Sequence, residues 1–189
     1  MTAHTAHTGL TLPPIGFGTY RVRGDAGADT IARAIGNGYT LIDSAFNYEN
    51  EGAVGEGVRR SGRDRAELLV ASKLPGRHHA YRRAVTTIEE SVYRTGLGYL
   101  DLYLIHWPNP ISDRYVEAWS AMIEARQQGL LRHIGVCNFL PEHLQRLQAE
   151  PGRLGGPPVA DIDEPADLVH LPTGWLDGLD VVSSVEEQQ

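Results

Sequence analysis

The stretch ELLVASKLPGRHHAYRRAVTTIEESVYRTGLGYLDLYLIHWP (67–108) decides the fold class. It opens on an apolar run, ELLVASKL (67–74), and closes on another, LDLYLIHWP (100–108). Between them, AYRRAVTTIEESVYRTG (80–96) carries apolar residues at helical spacing. The two runs are nearly continuous rather than alternating, the pattern of strands covered on both faces, as in a parallel sheet. Strand, helix and strand in that order form a βαβ unit.

The same beat extends in both directions. Upstream, PIGFGTY (14–20) precedes ADTIARAIGNG (28–38), and TLIDSA (40–45) precedes NEGAVGEGVRRSG (50–62). Downstream, LDLYLIHWP leads to DRYVEAWSAMIEARQQG (113–129), and LRHIGVCNF (131–139) leads to PEHLQRLQAE (141–150). In the first of these, Val116, Trp119, Met122 and Ile123 share a helix face. Glycines 38, 62, 96 and 129 close helical stretches as C-caps, and Asp113 and Pro141 suit helix starts. The pattern predicts about five βα units. A doubly wound sheet and a (β/α)8 barrel both fit that rhythm. The dinucleotide-binding fingerprint G-x-G-x-x-G is absent: Gly16-Phe17-Gly18 and Gly55-Glu56-Gly57 both meet arginine at the third glycine position.

Composition narrows the class. The chain has 189 residues, 41% of them apolar and 22% charged, enough to build one domain, alone or with an appendage. Apolar runs stay well below the roughly 18 residues of a membrane span. The opening MTAHTAHTGLTLPP has no secretory pattern, so a cytoplasmic protein is expected. A single cysteine, Cys137, excludes an internal disulfide framework and a cysteine-based zinc site. There is no H-x-H and no H-E-x-x-H, which disfavours a metal-dependent hydrolase; His78-His79 reads as a solvated loop rather than a metal site. The net charge of −7 belongs to residues 151–189, where eight acids and one base give 1 − 8 = −7, while 1–150 balances 16 against 16. Basic residues are nowhere clustered, so neither nucleic acid nor membrane is expected as a partner. Residues 1–150 are expected to form the αβ body. Residues 151–189, rich in glycine and proline, are expected to be an irregular acidic tail without a sixth unit.

Chemistry gathers at the ends of the apolar runs. Asp43 lies in TLIDSA, Lys73 near the end of LLVASKL, and His106 at the end of LDLYLIH, all toward the C-terminal end of a strand. That is the active-site face of (β/α)8 enzymes. Lys73 is the only lysine of the chain. A buried amine and a buried carboxylate in neighbouring strands are expected to pair, since either alone is costly. Tyr48, five residues past Asp43, can lean over the same rim. An ammonium beside it would lower its hydroxyl pKa, and the histidine could bond an oxygen that becomes negative. Such a set suits proton delivery to a carbonyl under reduction. Each residue alone has a plainer reading: a cap or loop carboxylate for Asp43, a structural or solvated Lys73, a satisfied core or rim His106, a surface Tyr48. Trp107 alone would read as core packing.

The motifs GFGTY (16–20), GYTLIDSAFNYENEGAVG (38–55), LLVASKL (68–74), DLYLIHWP (101–108) and IGVCNF (134–139) resemble the aldo-keto reductase family, most closely its 2,5-diketo-gluconate reductase-like branch. The resemblance covers about residues 9–150 and does not include the C-terminal portion. It implies a (β/α)8 TIM-type barrel of which this chain carries five units. It implies Tyr48 as general acid, Lys73 as the residue that lowers its pKa, Asp43 as the partner of Lys73, and His106 as the residue that orients the carbonyl. It implies NADPH as hydride donor, held by Gly18, Thr19, Tyr20, Asp43, Cys137 and Asn138. It implies Tyr20, Tyr48, His106 and Trp107 around a small-molecule carbonyl substrate, and no metal. Two positions depart from the family: Thr40 stands where a basic residue is usual, and Cys137 where serine is usual. The expected function is reduction of an aldehyde, ketone or keto-sugar. The alternative is a truncated, catalytically impaired homologue without the cofactor-binding half. Five units of a closed barrel would leave open sheet edges, which invite self-association.

Overall fold

In a computed structural model, which describes residues 3–6, 9–149 and 169–170, the predicted runs become parallel strands separated by helices. PIGFGTY narrows to β3 (Phe17–Gly18) and TLIDSA to β4 (Leu41–Asp43). The longer runs give β5 (Leu69–Leu74), β6 (Leu100–Ile105) and β7 (Leu131–Val136). The intervening helices are α1 (Gly24–Gly36), α2 (Glu51–Ser61), α3 (Tyr81–Thr95), α4 (Tyr115–Gln127) and α5 (Pro141–Ala149). The strands pair in sequence order, each parallel to the next. A sixth parallel strand, β8 (Val169–His170), pairs beside β7. The tail was not expected to supply one: two residues carry no periodicity that a sequence reading could detect. The remaining expectations for 151–189 lie outside the described residues.

Alternation along the strands sorts side chains onto two faces. One face packs on the helices, where Ile42, Val70, Leu74, Tyr103, Ile105, Ile134 and Val136 join the helix side chains in the main core. The other carries Leu41, Ala71, Leu102 and Leu104. That second face is covered by an N-terminal hairpin absent from the sequence reading. Its strands β1 (His4–Thr5) and β2 (Thr11–Leu12) are antiparallel, and Leu10 and Leu12 bury against the sheet.

Gly55 and Gly57, candidates for a phosphate loop on spacing alone, are packing glycines inside α2. A Cβ on Gly55 would stand 1.7 Å from the Thr95 carbonyl oxygen, and one on Gly57 would strike Ile31 at 2.7 Å. Gly62 and Gly96 do cap α2 and α3 in the left-handed conformation, as expected. Asp113 does not open α4. It sits at φ 53° and pairs with Arg146, while the helix starts at Tyr115 behind Arg114. A long-range ion pair has displaced the local capping role. Pro141 is the first residue of α5, as expected.

At the N-terminal end of the sheet lies a second buried charge. Asp101 accepts a 2.9 Å bond from the Val70 backbone N–H and pairs with Arg65 at 2.6 Å and Arg132 at 3.7 Å. The two guanidinium groups lie over the Tyr99 ring, 4.1 and 3.9 Å from its centroid. Among the described residues no helix is long and apolar enough to cross a membrane.

Candidate active site

At the C-terminal end of the sheet, Asp43 stands two residues beyond Leu41, Lys73 two beyond Ala71, and His106 two beyond Leu104. Alternation therefore carries the hairpin-side face into a polar tip. The neighbouring registers, Asp43 opposite Ala71 and Lys73 opposite Leu104, put the three strand ends side by side. Lys73 and Asp43 are both buried, and the Nζ donates to both carboxylate oxygens at 2.7 Å. Its third proton goes to the Ser44 carbonyl at 2.9 Å, so the ammonium is fully paired. Burial alone would pull the Lys73 pKa down. Asp43, followed by Tyr48, outweighs it, and the amine is held charged above its ordinary value.

Tyr48 ends a single 3-10 turn, Phe46–Tyr48, that returns the chain from β4 to α2. Its ring is 5.2 Å from the Lys73 Nζ and meets His106 edge-on at 6.1 Å between centroids. The expected lowering of its pKa is not the net result. Burial pushes the hydroxyl up, and Lys73 pulls it down by less. The Lys73 effect has the expected sign, but a sequence does not show how dry the site is. His106 is partly buried, and among the described residues its Nδ1 has no hydrogen-bond partner. Burial and then Lys73 lower its pKa to about 3, so the imidazole is neutral at ordinary pH and one ring nitrogen carries a proton to donate.

The flanking candidates divide. Gly18 pairs with Asp43 across the sheet, and the Thr19 amide and hydroxyl both donate to the Asp43 carbonyl at 2.9 Å. The Tyr20 ring packs edge-on against Tyr48 at 5.2 Å and is 47% exposed. Cys137 follows β7, and its backbone N–H reaches the Ile105 carbonyl at 2.9 Å. Asn138, at φ 60°, donates through its side-chain amide to the His106 carbonyl at 2.9 Å and to the Cys137 sulfur at 3.1 Å. Trp107 stands apart: it is 53% exposed, and among the described residues it makes no hydrogen bond or ring contact with the others.

His78 and His79 are not solvated. Both are buried; His78 bonds Thr87 at 3.0 Å and lies 3.3 Å from Arg83, and among the described residues neither ring nitrogen of His79 has a partner. Helix α3 folds back over them, a contact no local pattern announces. Among the described residues no group of three or more His, Cys, Asp or Glu could hold a metal ion. Sequence reasoning also passed over Asn50 and Ser44, whose polar side chains are buried behind the strand ends. Their signal was available in the run from Ser44 to Asn50, where a cap-type residue follows the tyrosine.

An open run of parallel βα units with an ionic cluster at the strands' C-terminal ends defines the class as a barrel-type α/β protein with its site on the customary face. A sequence profile described as the aldo/keto reductase family matches residues 14–160, and the chain belongs to that family. It is 52% identical over 137 residues to 2,5-diketo-D-gluconic acid reductase B of a Corynebacterium species, covering 72% of this chain and 50% of that protein. Its fold is similar to an aldo/keto reductase from Brucella melitensis, with a TM-score of 0.76 at 34% identity, covering 80% of this chain and 59% of that one. It is also similar to a Bombyx mori aldo-keto reductase in complex with NADP, with a TM-score of 0.71 at 34% identity, covering 80% and 55%. The fold is thus that of the aldo-keto reductase TIM barrel. The chain spans about half the length of the curated relatives it matches.

Proposed function

We propose that the strand-end cluster is a proton-delivery site for NADPH-dependent reduction of a small-molecule aldehyde, ketone or keto-sugar. The observation that carries this reading is the buried Lys73–Asp43 pair beneath Tyr48, with a neutral His106 beside it. The unpartnered His106 Nδ1 and the Cys137–Asn138 end of β7 fit the nicotinamide end of the cofactor and its substrate. Gly18, Thr19, Tyr20 and Asp43 would complete that wall. When bound, reduced nicotinamide supplies hydride to the carbonyl carbon.

The chain's own residues do the rest. Tyr48 gives its hydroxyl proton to the carbonyl oxygen. Lys73, kept charged by Asp43, stabilises the phenolate left behind and offsets the burial that would otherwise hold the proton on. His106, as a neutral donor, orients the oxygen and supports its developing charge. Tyr20 and Trp107 supply apolar walls around the substrate. We assign residues 1–150 to the N-terminal part of the barrel and 151–189 to an acidic appendage, and we place the activity in the cytoplasm. We also assign a tendency to self-association to the edges of the open sheet, which light scattering of the purified chain would reveal and a strictly monomeric profile would remove.

The test is an NADPH titration of purified protein followed by tryptophan fluorescence, with circular dichroism on the same sample. Saturable binding, followed by carbonyl-dependent NADPH oxidation, supports the reading. Folded protein that binds nothing selects the second one, a catalytically impaired homologue.

A further inference from the structure

We propose that Asn50 is a positioning residue of this site, acting through Ser44 on Lys73 and through the Thr19–Val22 turn on Tyr20. Asn50 is the N-cap of α2, yet its side chain makes no cap bond to that helix. An asparagine there ordinarily accepts from the backbone N–H groups of its own first turn. Here the amide is 2% exposed and bonds outward instead. Its Nδ2 donates to the Thr19 carbonyl at 2.6 Å, to the Thr19 hydroxyl at 3.1 Å and to the Val22 carbonyl at 2.9 Å. Its Oδ1 accepts from the Ser44 hydroxyl at 2.8 Å.

Two of those partners, Ser44 and Thr19, lead directly into the site. The Ser44 carbonyl takes the third Lys73 proton at 2.9 Å, so fixing Ser44 fixes a lysine contact that Asp43 does not make. Thr19 bonds the Asp43 carbonyl and precedes Tyr20, whose ring leans on Tyr48. Two strained residues flank these contacts. Arg21, at φ 64°, lies inside the turn whose two ends Asn50 grips, and Glu49, at φ 55°, joins Tyr48 to Asn50. Left-handed backbone at residues with side chains persists where surrounding bonds hold it, and here the bonds converge on one amide. A plain helix cap would need none of this.

This inference rests on the proposed site but is tested without turnover. Because Lys73 is the only lysine, a chain labelled with 13C at lysine Cε gives one side-chain resonance. Asn50→Ala is expected to move that resonance and its titration midpoint in the cofactor-free protein. Ser44→Ala, which cuts only the Asn50–Ser44 bond and leaves the three donor contacts, is expected to move them in the same direction by less. An Asn50→Ala chain that melts lower with the Lys73 signal unmoved overturns the proposal, because a structural staple alone would do that. If Asn50→Ala does not fold, Ser44→Ala decides: a shifted signal supports the link and an unchanged one refutes it. A wild-type chain that fails to reduce carbonyls leaves this readout intact, so the two readings fail separately.

Discussion

The sheet buries a carboxylate at each end, and the two do different work. Asp101, at the N-terminal end, holds Arg65, the more distant Arg132 and the Val70 amide. Asp43, at the C-terminal end, holds Lys73. Around Asp101 the partners are guanidinium groups stacked on Tyr99, groups that do not lose protons. Around Asp43 the partner is an amine, and within the same cluster stand a partly buried phenol and a neutral imidazole with a nitrogen that has no partner among the described residues. Burial of an ion pair therefore marks no function by itself. Function is marked by what else the pair can move protons with.

That contrast can be broken most sharply at Asp43. Asp43→Asn strands the Lys73 ammonium, and a loss of about 3 kcal/mol in urea-unfolding stability is expected. Carbonyl-dependent turnover per folded molecule should fall about a hundredfold or more. Asp101→Asn should lower stability by a similar amount, about 3 kcal/mol, while turnover per folded molecule and NADPH affinity stay at the wild-type level. Equal catalytic damage from both substitutions would erase the distinction. A smaller effect is expected from acid. Burial and neighbouring positive charge lower the folded-state pKa values of His79 to about 4 and of His106 to about 3, below the ordinary value of about 6.5. The unfolded chain then binds protons first as pH falls. Stability is full above about pH 6.5, declines toward about pH 4 as the His79 difference accrues, and declines further toward about pH 3 for His106. Urea midpoints taken across that range check it, and His79→Leu should flatten part of the slope. The smallest effect belongs to Arg132→Gln. Its 3.7 Å pair with Asp101 joins a half-exposed side chain, so no more than about 1 kcal/mol should be lost by thermal melting.

The comparison also shows what a sequence can disclose. The strands β3 to β7 and their helices were legible because near-continuous apolar runs, longer than the strands themselves at β3 and β4, alternate with helical periods, as in 67–108. Asp43, Lys73 and His106 were legible because a charge at the end of such a run is expensive enough to demand a reason. Asp101 sits equally deep and was not singled out, since its reason is a pair of arginines 36 and 31 positions away, at Arg65 and Arg132. The hairpin of β1 and β2 has strands too short for any period, and β8 likewise. The burial of His78 and His79 under α3, the ion pair that takes Asp113 from its cap, and the dryness that outweighs Lys73 at Tyr48 are all tertiary facts. Asn50 was passed over, because its four bonds reach back across the turn after β3 and the end of β4 and no local pattern announces them.

The measurement that bears most directly on the account compares carbonyl-dependent NADPH oxidation by the wild-type chain and by Tyr48→Phe. Matched circular dichroism and melting curves should accompany it. Removing one hydroxyl from a partly buried ring should leave the fold and its melting midpoint nearly unchanged. The account predicts a loss of roughly two to four orders of magnitude in turnover. A folded Tyr48→Phe chain that turns over at the wild-type rate would contradict it, and the acid would have to be sought elsewhere on the rim.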